Sequence, residues 1–273
     1  MLSKLIKHDF KALKRILLPL MAAIAAASLL CTVALRLVIT VYTSDSPNGV
    51  MTALVTASTG LFIFINSIAI LLCPTLTILV SVTHFYRSLY TDEGYLTFTL
   101  PVKRQDILAS KYITTLMWGM IAVAVTIAAG SIVLLFGTTA DEIINTEVVG
   151  GMKELFAEIS ADVFIRYLVY GVVSSLYFMS MLFLAVTIGS IVAKKHKVLA
   201  AIGFCYLINL VTSIATNAVN FFITLTAIGS DIDTLFEYVS LSTPVINSIL
   251  YVGFGAAEYI LCLHLMKTRL NLQ

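Results

Sequence analysis

Glu258 stands in the middle of an apolar run from Val245 to Met266, nine residues before Lys267. If that run is a helix crossing a bilayer, the carboxyl sits roughly 13 Å from the basic boundary, near the middle of a hydrocarbon core roughly 30 Å thick. An ionised acid at that depth costs about 2.5 to 3.5 kcal/mol, so it is protonated, paired or facing water. Asn209 follows Lys197 by twelve residues, roughly 18 Å of helix and a similar depth. Ser213, Thr216 and Asn220 continue from it at helical spacing, and Asn66 is a comparable polar residue within the run Leu54 to Val82. Two roles fit Asn66, Asn209, Ser213, Asn220 and Glu258: hydrogen bonding between helices, worth about 0.6 kcal/mol per contact, or polar lining of a substrate path.

Covalent chemistry has little to work with. The sequence contains no GxxxxGK[ST] phosphate loop, no HExxH and no GxSxG. His8, His84, His196 and His264 all fall near the ends of apolar runs, where interfacial or solvated histidines suffice. Cys31, Cys73, Cys205 and Cys262 lie inside apolar runs without CxxC spacing and read as small buried hydrophobes rather than disulfides or zinc ligands. No cofactor is expected on this chain, and catalysis by it alone is not expected.

The elements that must position these residues follow from composition. Of 273 residues, 59% are hydrophobic and 12% charged, with mean hydropathy +0.99. An ordinary soluble domain has roughly 45 to 50% and 25%. Too few polar residues remain to coat a soluble particle, and disorder needs the opposite composition. The formal net charge of +2 offers no phosphate-binding surface, so no nucleic-acid partner is expected. Six runs can span a bilayer: Ile16 to Tyr42, Leu54 to Val82, Ile113 to Phe136, Tyr167 to Val192, Val198 to Thr226 and Val245 to Met266. Barrel strands alternate apolar and polar residues over about ten positions, whereas these runs stay apolar for about twice that length. The expected fold is an all-α, polytopic membrane protein, residues 1–273 forming a single transmembrane domain of six helices in a cell membrane, most simply a bacterial plasma membrane.

Basic residues near span ends stay on the cytoplasmic side. Fourteen of the seventeen Lys and Arg fall in the N-terminal segment, the second and fourth loops and the C-terminus. Only Arg36, Lys153 and Arg166 fall on the other side, which also carries ten acids. Both termini are therefore predicted to be cytoplasmic. Ala25 to Ala27 resemble a signal-peptide cleavage site, but the apolar stretch before and after them exceeds a typical signal core, so span one is expected to remain. Within residues 1–15, Leu2, Leu5, Ile6, Phe10 and Leu13 recur at helical spacing, with Lys4, Lys7, His8, Lys11 and Lys14 largely on the other face. This predicts an amphipathic helix lying on the inner surface, or simply a positive-inside anchor. Met152, Leu155, Phe156, Ile159 and Val163 predict a second surface helix outside.

The second loop, residues 83–111, is too elaborate for a tether: it reads HFYRSLYTDEGYLTFTLPVKRQDILASK from His84 to Lys111. Gly94 can break the helix leaving span two. Pro101 disfavours helix at Leu100 and suits the first turn of the helix entering span three. Leu96, Phe98 and Leu100 leave apolar side chains on a non-helical shoulder, rimmed by Asp92, Glu93, Lys103 and Arg104. Such a surface either receives a protein partner or folds back on its own spans.

At these residues the sequence resembles permease subunits of ABC transporters of the type-2 exporter family. That family often carries an acid, a Gly, a hydrophobic stretch ending in Pro-Val, basic residues, and a Lys at the start of span three. The matching positions here are Glu93, Gly94, Leu96, Leu100, Pro101, Val102, Arg104 and Lys111. The resemblance implies a membrane subunit that pairs with a second permease and with separate ABC ATPase subunits, which would bind ATP and Mg, and it makes Glu93, Gly94, Leu96, Leu100, Pro101 and Arg104 the coupling residues. It also implies that about Phe221 to Val239 re-enters the membrane outside, where the residues themselves show only a loop. Two other readings compete: an ion-coupled secondary transporter using Glu258, and a non-transporting immunity or scaffold protein.

Overall fold

A computed structural model describes residues 2–42, 49–91, 94, 99, 101–137, 160–193, 195–226 and 232–268. Six helices follow in order: α1 Leu2–Tyr42, α2 Gly49–Tyr90, α3 Arg104–Gly137, α4 Ala161–Val192, α5 Lys197–Thr226 and α6 Ile232–Thr268. Each is long and apolar enough to cross a membrane, and the described residues contain no strand. The fold is the expected all-α, polytopic one. Helix is what such runs must form in lipid, where every backbone N–H and C=O has to be satisfied within the segment. Pro19, Pro74 and Pro244 lie inside helices without ending them.

Several boundaries differ from expectation. The amphipathic stretch is no separate helix, because α1 runs unbroken for 41 residues from Leu2 into span one. Lys4, Lys7, His8, Lys11, Lys14 and Arg15 are all exposed along it, while Leu13, Leu17, Met21 and Ile24 form its buried edge. Helix also extends into the second loop from both sides, to Tyr90 and from Arg104, so only residues 91–103 lie between α2 and α3. Between the fifth and sixth spans, residues 221–226 complete α5, as the run Val198 to Thr226 predicts, and residues 232–239 begin an unbroken α6 where the residues alone had shown a loop. The predicted surface helix around Met152 to Ile159 lies outside the described residues, apart from Val163, which belongs to α4.

The chain divides into two compact units. One comprises Ile6–Ser81 and Ile113–Glu158. Its core is the α1 edge together with Cys73 of α2 and Trp118, Ala122 and Ala129 of α3. Phe10 stacks on Trp118 with ring centroids 4.7 Å apart, and Thr59 Oγ1 donates to the Ala34 carbonyl at 3.2 Å.

The other unit comprises Met1–Leu5, Val82–Tyr112 and Ile159–Gln273. Helix α4 is its hub, packing on both α5 and α6, and its stretch Met179–Ala185 is almost wholly buried. Lipid tails are as apolar as leucine, so packing and interhelical hydrogen bonds must hold such helices together. Close approach is built in at two glycines. A Cβ on Gly189 of α4 would stand 2.6 Å from the Ala201 nitrogen of α5, and one on Gly255 of α6 would meet Ser180 Oγ at 3.4 Å. The end of α2 joins this unit through Phe85 and Leu89, Phe85 stacking on Phe183 of α4 at 4.1 Å.

Candidate functional site

The second loop is anchored at both ends by α4 and α6. Tyr90 closes α2 and donates through its hydroxyl to Thr187 Oγ1 of α4 at 2.8 Å. Gly94 then folds back on that last turn: its N–H donates to the Thr91 carbonyl at 2.8 Å, and a Cβ there would stand 2.5 Å from the Leu89 carbonyl oxygen. Only glycine fits without displacing backbone. Helix α2 has already ended at Tyr90 and Gly94 is itself helical, so Gly94 does not break the helix; glycine is required there by the close approach to Leu89.

Pro101 and Val102 form a bend, with Pro101 exposed. Lys103 stands at the helix-capping position, its carbonyl accepting from Asp106 N at 2.9 Å and Ile107 N at 3.3 Å. Pro101 therefore precedes the helix instead of entering its first turn. Arg104 turns inward, where its Nη1 donates to the Met266 carbonyl, one of the last four carbonyls of α6 that no helical N–H can reach. Lys111 is buried one turn beyond Ile107, its Nζ 3.4 Å from His84 Nε2 of α2. Glu93, Leu96 and Leu100 lie outside the described residues.

Deeper in the same unit, Glu258 is buried on α6, in line with Asn247, Cys262 and Met266. Its Oε2 accepts from Ser180 Oγ of α4 at 2.6 Å, and the same hydroxyl lies 2.8 Å from the Tyr177 carbonyl. One hydroxyl hydrogen cannot fill two acceptors. A proton on the carboxyl would let Glu258 donate back to Ser180 and leave the serine hydrogen for Tyr177. Tyr177 in turn bonds Thr212 of α5 through its hydroxyl at 2.6 Å and stacks on Tyr251 of α6 at 4.8 Å. Two interhelical hydrogen bonds, Ser180 to Glu258 and Tyr177 to Thr212, thus link α4 to α6 and to α5. Position along the chain gives no hint of Ser180, Tyr177 or Thr187 as partners, because each meets its partner across a helix interface.

The polar residues of α5 divide between two faces. Thr212 and Thr216 are buried, whereas Asn209 is exposed and Ser213 and Asn220 are half-buried. Ser213 Oγ donates to Asn209 Oδ1 at 3.4 Å, and Asn209 Nδ2 approaches Met181 Sδ of α4 at 3.9 Å. These three keep one stripe on a helix otherwise covered by exposed leucine, isoleucine, valine and phenylalanine. In the other unit, Asn66 is buried on α2. Among the described residues no group of three His, Cys, Asp or Glu could hold a metal ion, and the four cysteines carry free thiols.

Residues 48–229, two thirds of the chain, match the family model described as ABC-2 family transporter protein. The chain belongs to the ABC-2 transporter family. No curated protein and no solved structure matches it significantly. The matched region takes in α2 to α5, including the whole second loop. As an ABC-2 permease the chain is a multi-pass membrane transport subunit, and the hydrogen bond from Ser180 to Glu258 lies between two of its helices.

Proposed function

We propose that this permease is the membrane-spanning half of an ATP-driven exporter in a bacterial plasma membrane, working with a second permease and with separate ABC ATPase subunits. The carrying observation is the family match over residues 48–229. In this reading both termini and the second and fourth loops face the cytoplasm, and residues 91–103 receive the ATPase. The architecture supports that role. Gly94 and Arg104 hold the two ends of the segment on α2 and α6, so a push on the exposed Pro101 region reaches two transmembrane helices directly. Movement of the ATPase pair then tilts spans, opening a path alternately to the two sides.

The half-exposed stripe Asn209, Ser213 and Asn220 supports α5 as a wall of that path or of the contact with the second permease, since amides facing bulk lipid are costly. Asn66 is proposed for the same path from α2. Glu258 is assigned a structural role, because it is buried and bonded to Ser180. The test is purification of the permease from native membranes with its associated proteins, followed by reconstitution. A copurifying ATPase and ATP-dependent transport are expected. Transport driven by a proton gradient without ATP, or no transport with any energy source, would refute the reading.

A further inference from the structure

We propose that the pocket at the turn between α4 and α5 binds the headgroup of an anionic phospholipid, with an acyl chain lying along α5. The cavity measures about 550 Å³, and its lining includes Lys195 and His196 of the turn, Lys197 at the start of α5 and Tyr86 of α2. Its geometry follows from Gly189. Because that residue has no side chain, the Ala201 backbone of α5 presses against α4. The neighbouring positions Leu199 and Ile202 line the same pocket and face outward at 73% and 63% exposure. Val198, also in the lining, is 67% exposed, and Tyr206 continues this outward face one turn further at 67%.

The combination selects the occupant. Two lysines and a histidine sharing one lining with Tyr86 suit a phosphodiester, and basic pockets at the cytoplasmic ends of transmembrane helices hold anionic headgroups. A soluble acidic partner could use the charges but not the apolar track, since Tyr206 lies roughly 14 Å along the helix from Lys197. A phospholipid has its anionic group joined to a chain of that length. The assignment takes from the proposed function only that this end lies at the inner surface, and it stands whether or not the permease exports anything.

Native mass spectrometry of the full-length permease, released from bilayers of equal phosphatidylglycerol and phosphatidylcholine, tests it. Retained phosphatidylglycerol should exceed phosphatidylcholine and fall about fivefold for each lysine neutralised in Lys195→Ala and Lys197→Ala. Lys195→Arg with Lys197→Arg should keep the preference, which separates lost charge from lost fold. Leu199→Ser with Ile202→Ser should weaken retention with every positive charge in place, and inorganic phosphate in excess should not displace the lipid. Equal retention of both lipids would overturn the proposal. So would the same loss in the arginine variant, or full displacement by phosphate, which would mark a free-anion site. Unchanged lipid retention with reduced ATPase association in the alanine variants would mark a protein contact instead.

Discussion

Glu258 of α6 and Ser180 of α4 meet at 2.6 Å in the interior of the helical unit that also holds the ends of the second loop. The pairing satisfies Oε2 of an acid at a depth where an isolated carboxylate is costly, while its Oε1 is buried without a hydrogen-bond partner among the described residues. It also makes the amide a close substitute: a glutamine donates through its Nε2 to Ser180 Oγ and leaves the serine hydrogen to the Tyr177 carbonyl.

Glu258→Gln is therefore expected to retain ATP-driven transport. Glu258→Lys places an unneutralised cation in the core at about 2.5 to 3.5 kcal/mol and should lower the amount of folded, inserted protein. Ser180→Ala leaves the buried Glu258 carboxyl without its Oε2 partner and should cost about 1 to 3 kcal/mol, the penalty of an unsatisfied buried polar group. Flux into reconstituted vesicles, with ATP and separately with an imposed proton gradient, decides the matter. Loss of transport in Glu258→Gln with normal insertion would show that the titratable proton is needed.

The second loop supplies the coupling prediction. Gly94→Ala forces a Cβ against the Leu89 carbonyl, and Arg104→Ala removes the donor to Met266. Both variants should insert normally and lose ATPase association or coupled ATP hydrolysis, as should Glu93→Ala, Leu96→Asp and Pro101→Ala. Copurification and hydrolysis assays on membranes matched for permease content measure this. Full coupling in all five would remove the loop from the coupling machinery.

Close packing at Gly189 predicts a specific thermal defect. Gly189→Ala puts a methyl group 2.6 Å from backbone rather than from a side chain that could swing away. Overpacking of this kind costs about 1 to 3 kcal/mol. At Gly203 a Cβ would meet nothing within 4 Å, so alanine there should be tolerated without loss. Thermal unfolding of the two variants in the same detergent compares them directly.

Trp118 is the single tryptophan of the chain, so its emission reports one site. Phe10→Leu should remove a stacking contribution of about 0.5 to 1.5 kcal/mol and shift Trp118 emission, while Phe221→Leu, in the other unit, should leave the spectrum unchanged.

Topology is checked by labelling. Single cysteines at Asn48, Gly150 and Asp233, in a background lacking the four native thiols, should react with an impermeant maleimide from outside intact cells. Reaction only after permeabilisation would invert the proposed orientation.

The apolar runs by themselves determined the six helices, because a segment of that length in lipid has no other way to satisfy its backbone. The match of α5 is close: Val198 to Thr226 was the expected run, and the helix is Lys197–Thr226. Helix ends were less legible at α1, α2, α3, α4 and α6, where the helix continues beyond the hydrophobic stretch. At the end of α2, Phe85 and Leu89 are packed into the core of the second unit. Hydropathy could single out Glu258 and Asn209 as unusual, yet it could not say that one is buried against Ser180 and the other exposed. Those outcomes depend on which face of each helix meets a neighbour, and side chains 78 residues apart, as Ser180 and Glu258 are, come together only when α4 and α6 pack. The same holds for Arg104, whose place opposite Met266 exists only because α3 begins where α6 ends.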